Sequence, residues 1–232
     1  MCNEYYKLNT GYVLSLKKNT PFPDLEHALT EPNGLLAIGG DLSTERLLNA
    51  YKHGIFPWFS EGEPVLWWSP NPRMVLFPSE LKINRSLKKI INKKLFKIRL
   101  NTAFRQVIEA CSKTPRANQD GTWINHDIIE AYCRLHQLGY AFSVESWQDN
   151  QLVGGCYGVI IGKMFYGESM FHLVADASKV AFVNLVHHLE QLGVDMIDCQ
   201  MNTPLLASFG AKEISRDVFI KKLTQLISYD TA

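Results

Sequence analysis

The stretch 56–78, FPWFSEGEPVLWWSPNPRMVLFP, constrains this chain more than any other. It holds five of the ten prolines and three of the five tryptophans, Trp58, Trp67 and Trp68. Each proline removes a backbone donor and clashes with a helix interior, so no long helix can cross it. The chain therefore divides near Pro72 into a small leading lobe, 1–72, and a larger part, 73–232. A chain of 232 residues holds one large domain or two small ones sharing an interface, at roughly 100–200 residues per domain.

Composition narrows the class. With 46% hydrophobic and 20% charged residues, collagen-like, low-complexity and disulfide-scaffold chains are excluded. Cys2, Cys111, Cys133, Cys156 and Cys199 are odd in number, scattered and never spaced C-x-x-C. That pattern argues against a disulfide framework and against a zinc site. No run reaches the roughly 18 apolar residues of a membrane span, and the start lacks a basic flank leading into an apolar stretch, so a cytoplasmic location is expected.

The net charge of +1 conceals an uneven distribution. Nine basic residues fall within 81–108 (Lys82, Arg85, Lys88, Lys89, Lys93, Lys94, Lys97, Arg99, Arg105) without one acid; taking them from +1 leaves −8 for the rest. Such a patch is the footprint of a polyanion ligand or, equally, a solvated helix face.

Periodicity gives a mixed α/β, or α+β, chain. In the leading lobe Ser43 or Thr44 can cap a helix with Leu47, Leu48 and Tyr51 on one face, stopped by Gly54. Ser86 is expected to cap the basic helix, with Phe96, Ile98 and Leu100 alternating as a strand after it. Two more helices lie near 104–111 and 128–135. Strand-like runs at 140–147, 152–161 and 163–170 then form an antiparallel meander, followed by a helix over 177–192 and a strand over 194–200. This is the layout of acetyltransferase-like folds: a mixed, largely antiparallel sheet flanked by helices.

Strand alternation puts Asp198 and Gln200 on one face, about 7 Å apart, which marks either a site or a satisfied structural pair. Glu168 shares a face with Tyr166 and Met170, and a glycine beside an acid in an aromatic strand indicates a bulge or close ligand approach. No G-x-S-x-G surrounds Ser169, and the histidines show no ligand spacing. A CoA-dependent enzyme of this layout needs a glycine-rich pyrophosphate loop, and HLVADASKVA at 172–181 is not one, so another acyl donor is indicated.

EPNGLLA at 31–37 with GGDL at 39–42, GIFPWF at 54–59, LWWSP at 66–70, GTWI at 121–124, GESMF at 167–171 and IDCQ at 197–200 together resemble the leucyl/phenylalanyl-tRNA–protein transferase family. The matches run in order from about residue 31 to 215. The resemblance implies transfer of Leu or Phe, and possibly Met, from aminoacyl-tRNA to an N-terminal Arg or Lys of a protein, marking it for degradation. Because the ester is already activated, no cofactor or metal is expected; a monomer is expected.

By the same resemblance Tyr51, Trp58, Trp123 and Tyr132 line the site for the aminoacyl-adenosine end. Phe165, Gly167, Ser169 and Ile197 surround the side chain or ribose with Glu168, while Cys156 and Leu185 set pocket volume. Cys156 stands where Met is expected, and Leu185 where an aromatic can occur. Arg85, Lys88, Lys89 and Lys93 would contact tRNA phosphates. Asp198, held by Gln200, is expected to accept or orient the proton of the attacking amine while Glu168 positions the donor. A non-enzymatic RNA-binding module, or a CoA-independent acyltransferase with another donor, is the alternative. The segment after Arg216 has no assigned role.

Overall fold

The computed structural model describes residues 4–8, 10–114 and 122–228; Cys2 and Gly121 lie outside them. The leading lobe carries more strand than expected. β1 (Tyr5–Leu8) and β2 (Gly11–Leu16) form a hairpin, β3 (Leu35–Gly39) runs parallel to β2, and α1 (Thr44–Lys52) follows. β4 (Phe56–Pro57) and β5 (Leu66–Trp68) complete a sheet in the order β1-β2-β3-β5-β4. The Ser43 hydroxyl caps α1 by accepting from the Arg46 amide, and Leu47, Ala50 and Tyr51 form its buried face. Gly54 ends it at φ +73°, where a Cβ would lie 2.6 Å from Ile220 Cδ1.

The proline-rich stretch contains a strand that its composition hides: β6 (Arg73–Leu76), buried throughout. After it come α2 (Arg85–Asn92), β7 (Lys97–Leu100), α3 (Phe104–Ser112) and α4 (His126–Gln137). Asn84, not Ser86, caps α2, accepting from Leu87 N; Ser86 lies inside the helix. The expected meander is β8 (Ala141–Gln148), β9 (Gln151–Ile161) and β10 (Met164–His172). α5 (Ala177–Gln191) returns the chain to β11 (Met196–Gln200), and α6 (Pro204–Ser208), β12 (Lys212–Ile214) and α7 (Arg216–Ile227) follow.

The second sheet has the order β12-β6-β11-β10-β9-β8-β7. Among the described residues β10 and β11 are its only parallel neighbours, with a helical crossover between them, α5, as the sequence order implied. α5 sits tightly on the sheet because Gly154 has no side chain: a Cβ there would be 2.6 Å from that of Ala177. One apolar cluster joins the two sheets, with Tyr51, Phe56 and Trp67 of the lobe packed among Val75, Tyr132, Tyr166 and Phe219. A second lies between the larger sheet and α5. No helix among the described residues is long and apolar enough to cross a membrane.

Candidate active site

The parallel pairing of β10 with β11 covers only Met164–Tyr166 against Met196–Asp198, although both strands continue. Each then bulges. Against β9 the register of β10 shifts between Gly167 and Ser169, leaving Glu168 as the extra residue. Against β6 the register of β11 shifts between Asp198 and Gln200, leaving Cys199 as the extra residue, with Gln200 at φ +61°. Two adjacent bulges end the ladder and turn side chains into the gap, which is the usual geometric use of a bulge beside a site.

The gap opens into a cavity of about 530 Å³. Trp58, Trp123, Cys156, Gly167, Glu168, Ser169, Leu185, Ile197 and Gln200 all line it, so the structure brings together most of the residues selected from the sequence. Phe56, Tyr157, Met170, Phe182, Cys199 and Leu206 join them in the wall, and none of these was given a site role from the sequence. His172 at the end of β10 and Ser178 and Lys179 in the first turn of α5 also line it, Lys179 paired with Asp176 at 2.7 Å. The lining is mostly apolar, as suits an aliphatic or aromatic side chain.

Four selected residues stand elsewhere: Phe165, Tyr51, Tyr132 and Asp198. Phe165 is fully buried in the cluster beneath α5, its ring held under Gly158, and does not reach the cavity wall. Tyr51 and Tyr132 are also fully buried, behind Glu168 rather than beside a ligand. The Tyr51 hydroxyl donates to Glu168 Oε1 at 2.7 Å; that of Tyr132 lies 3.2 Å from Oε2 and also against the Tyr51 oxygen, its single proton serving one of the two. Gln200 Nε2 donates to Glu168 Oε1 at 3.3 Å. Among the described residues Glu168 is thus bonded to neutral groups and to no cation. Burial is the largest influence on its carboxyl; it outweighs the tyrosine hydrogen bonds and pushes the pKa up to about 7. Burial and the neighbouring Glu168 charge push both tyrosines well above their ordinary range.

Asp198 departs most from expectation. The bulge breaks the alternation that was to put it beside Gln200: Ile197, Cys199 and Gln200 line the cavity, and Asp198 does not. Its carboxylate is fully buried in a two-pronged pair with Arg73, Nε to Oδ1 at 2.8 Å and Nη2 to Oδ2 at 2.7 Å. Gln200 N also donates to it, to Oδ1 at 2.9 Å. Arg73 was missed because it sits in the proline-rich stretch; the signal that could have found it is the expense of a buried strand aspartate without a cation. Burial also pushes the Cys156 and Cys199 thiols far up, so neither is a thiolate nucleophile at neutral pH.

On α2, Arg85, Lys88, Lys89 and Lys93 are exposed, and none has an ion-pair partner among the described residues. The helix packs through its buried Leu87 side onto α5, whose first turns flank the cavity. Not all nine basic residues belong to this face. Arg105 pairs with Glu130 and Glu109, and Arg99 lies over Trp147.

A mixed sheet whose parallel strands part over an apolar cavity, with a carboxyl of raised pKa in the lining and a cationic helix beside it, is suited to an acyl-transfer enzyme. Residues 75–224 match the family Leucyl/phenylalanyl-tRNA protein transferase, and residues 40–71 match that family's N-terminal domain. Among curated relatives, the leucyl/phenylalanyl-tRNA–protein transferase of Chromobacterium violaceum is 60% identical over 208 residues, 90% of this chain and 89% of its own. That of Nitrosomonas eutropha is 59% identical over 214 residues, 92% and 91%. Among solved structures, L-PGS from Bacillus licheniformis aligns with a TM-score of 0.47 at 10% identity, over 96% of this chain and 84% of its own. The chain belongs to the leucyl/phenylalanyl-tRNA–protein transferase family: it is an aminoacyltransferase that moves Leu or Phe from tRNA to protein.

Proposed function

We propose that the acceptor is a protein or peptide with Arg or Lys at its N-terminus, that the protein acts as a cytoplasmic monomer, and that Glu168 receives the proton of the attacking amine. The observation that carries the last point is that Glu168 and Gln200 line the cavity, hydrogen-bonded to each other, with Tyr51 and Tyr132 bonded to Glu168 from behind. Outside 81–108 the formal charge is −8, which favours a cationic acceptor.

In this reading Leu185, Ile197, Cys156 and Cys199 hold the aminoacyl side chain, and Trp58 and Trp123 flank the terminal adenosine. Arg85, Lys88, Lys89 and Lys93 hold phosphates of the acceptor stem. The acceptor's α-amine, with an ordinary pKa of about 7.7–8.0, is partly neutral already, so a carboxylate near 7 suffices as its base. The nitrogen attacks the ester carbonyl carbon and the C–N bond forms. The amine proton passes to Glu168, and the tetrahedral intermediate collapses with cleavage of the bond to the ribose oxygen. Glu168 returns the proton to that oxygen, leaving a peptide bond and free tRNA. Much of the acceleration comes from holding amine and ester together.

The test is transfer of radiolabelled Leu from charged tRNA, without ATP, to two peptides differing only in an N-terminal Arg or Ala. Label on the Arg peptide alone is expected. Equal label on both would end the acceptor reading, and undiminished turnover by Glu168→Gln would end the proton assignment.

A further inference from the structure

We infer that Arg73 is a positioning residue for the transfer reaction and that α7, through Phe219, is part of the support of the active site; this rests on the role just given to Glu168. Arg73 is 1% exposed and joins four separate elements. It stands on β6 and grips Asp198 of β11 with two nitrogens. Its guanidinium carbon lies 4.8 Å from the ring centre of Phe56 on β4 and 4.7 Å from that of Phe219 on α7. The third nitrogen, Nη1, has no hydrogen-bond partner among the described residues. The two rings lie within cation–π distance of the guanidinium, and its planar fork makes the two-pronged pair to Asp198 that a single ammonium does not.

The consequence reaches the cavity in two steps. A two-pronged pair fixes the rotation of the Asp198 carboxylate as well as its place, since both oxygens are tied to a rigid fork. Oδ1 is thereby held where it accepts from Gln200 N. Gln200 is a non-glycine residue in the left-handed region at φ +61°, a conformation that persists only where its surroundings enforce it. That backbone turn carries the Gln200 side chain out of strand alternation and onto Glu168 Oε1. Without the fork, Asp198 is left a buried, rotating carboxylate, Gln200 loses the bond that holds its turn, and Glu168 loses its amide partner.

α7 is placed to enforce the same geometry. Its first residue ties down the chain between the two sheets, Arg216 N donating to Asn71 Oδ1 and Arg216 Nη1 to the Ser69 carbonyl. Phe219, fully buried, then closes over Arg73. The segment that carried no assignment in the sequence thus packs directly on the most buried ion pair among the described residues.

The experiment measures kcat and KM for leucyl transfer in the full chain with Arg73→Lys, Gln200→Ala and the double variant, alongside urea unfolding. Arg73→Lys keeps the charge and loses the fork. A misplacement of about 1 Å at a reacting group costs on the order of 10²-fold, and that loss is expected in kcat, with KM for aminoacyl-tRNA unchanged. In the Gln200→Ala background the Arg73 substitution is expected to lower kcat little further, because both act on the same hydrogen bond to Glu168. Phe219→Leu, which keeps the ion pair and apolar packing, serves if Arg73→Lys does not fold; its kcat loss is expected to vanish in the Gln200→Ala background. Leu223→Ala, buried on the same helix, is expected to lower stability without lowering kcat. Losses that multiply in the double variants, or equal kcat losses in Phe219→Leu and Leu223→Ala, overturn this inference alone. Full kcat in Gln200→Ala likewise overturns this inference alone, whereas a wild-type protein without leucyl transfer, or undiminished turnover by Glu168→Gln, overturns the reading of the site and this inference with it.

Discussion

Replacing Glu168 by Gln exchanges a buried ionisable group for a neutral one of the same shape, and its effect on stability has a definite sign. In the unfolded chain the carboxyl ionises near its ordinary value of 4.5; in the folded protein it stays protonated until about 7. A group whose pKa is raised by folding contributes stability that is present below the unfolded value and is lost as pH rises through the folded one. The wild-type protein therefore gives up stability between about pH 4.5 and 7, and Glu168→Gln does not. At about 1.36 kcal/mol per pH unit the full gap is worth roughly 3 kcal/mol. Glu168 is half-buried and faces the cavity, so water there screens its charge, leaving about 2 kcal/mol. Urea unfolding of both proteins at about pH 4.5 and pH 8 measures the difference. The variant is expected to be near the wild type at the lower pH and about 2 kcal/mol more stable at the higher, while losing turnover. A variant equally destabilised at both pH values would refute the reasoning, since Glu168 would then be ionised across the range.

Other expected outcomes follow from the same geometry. Wild-type kcat/KM rises between about pH 6 and 8 as Glu168 loses its proton, and a pH–rate profile flat across that interval would remove it from the chemistry. Lys88→Glu with Lys89→Glu weakens aminoacyl-tRNA binding and flattens its salt dependence by roughly one unit of slope for each phosphate no longer neutralised, with kcat at saturation preserved; binding at several salt concentrations measures it. Leu185→Trp fills the cavity and lowers kcat/KM for phenylalanyl transfer more than for leucyl transfer, read by competition between the two charged tRNAs. Gly158→Ala places a methyl 2.1 Å from the Tyr166 carbonyl oxygen and costs about 3 kcal/mol or more in urea unfolding.

Much of the larger sheet was legible because its signals are local. The period-two runs of β8, β9 and β10 and the long apolar α5 appear where alternation and length put them. What stayed hidden depends on partners distant in sequence. β6 is four buried residues between prolines, a strand only because β11 and β12 flank it. Phe165 and Tyr166 look alike in the sequence, yet one packs under α5 and the other against the lobe, so proximity to the GES motif did not bring Phe165 to the cavity. The motif residues Trp58, Glu168, Ile197 and Gln200 do converge. Their roles were harder to read than their membership, because a bulge adds a residue without a sequence mark and inverts the face of everything after it.

That inversion decides which carboxylate handles the proton. Both acids lie at the point where β10 and β11 part, and an unbroken strand would have given Asp198 and Gln200 a common face. Asp198 keeps its ladder place and faces inward to a guanidinium, and the extra residue at Cys199, just after it, turns Gln200 outward to the cavity. The extra residue at Glu168 sends that carboxyl to the cavity floor, where its partners are two hydroxyls and an amide. Burial favours the protonated form of Glu168 and outweighs the tyrosine hydrogen bonds, which favour the charged one, whereas Asp198 is tied through both oxygens to Arg73, so two acids from adjacent strands acquire different tasks. Asp198 is suited to holding a shape, and Glu168 to exchanging a proton with an amine near neutral pH. Moving the cation, rather than either acid, is therefore the change to which the division of labour is most sensitive.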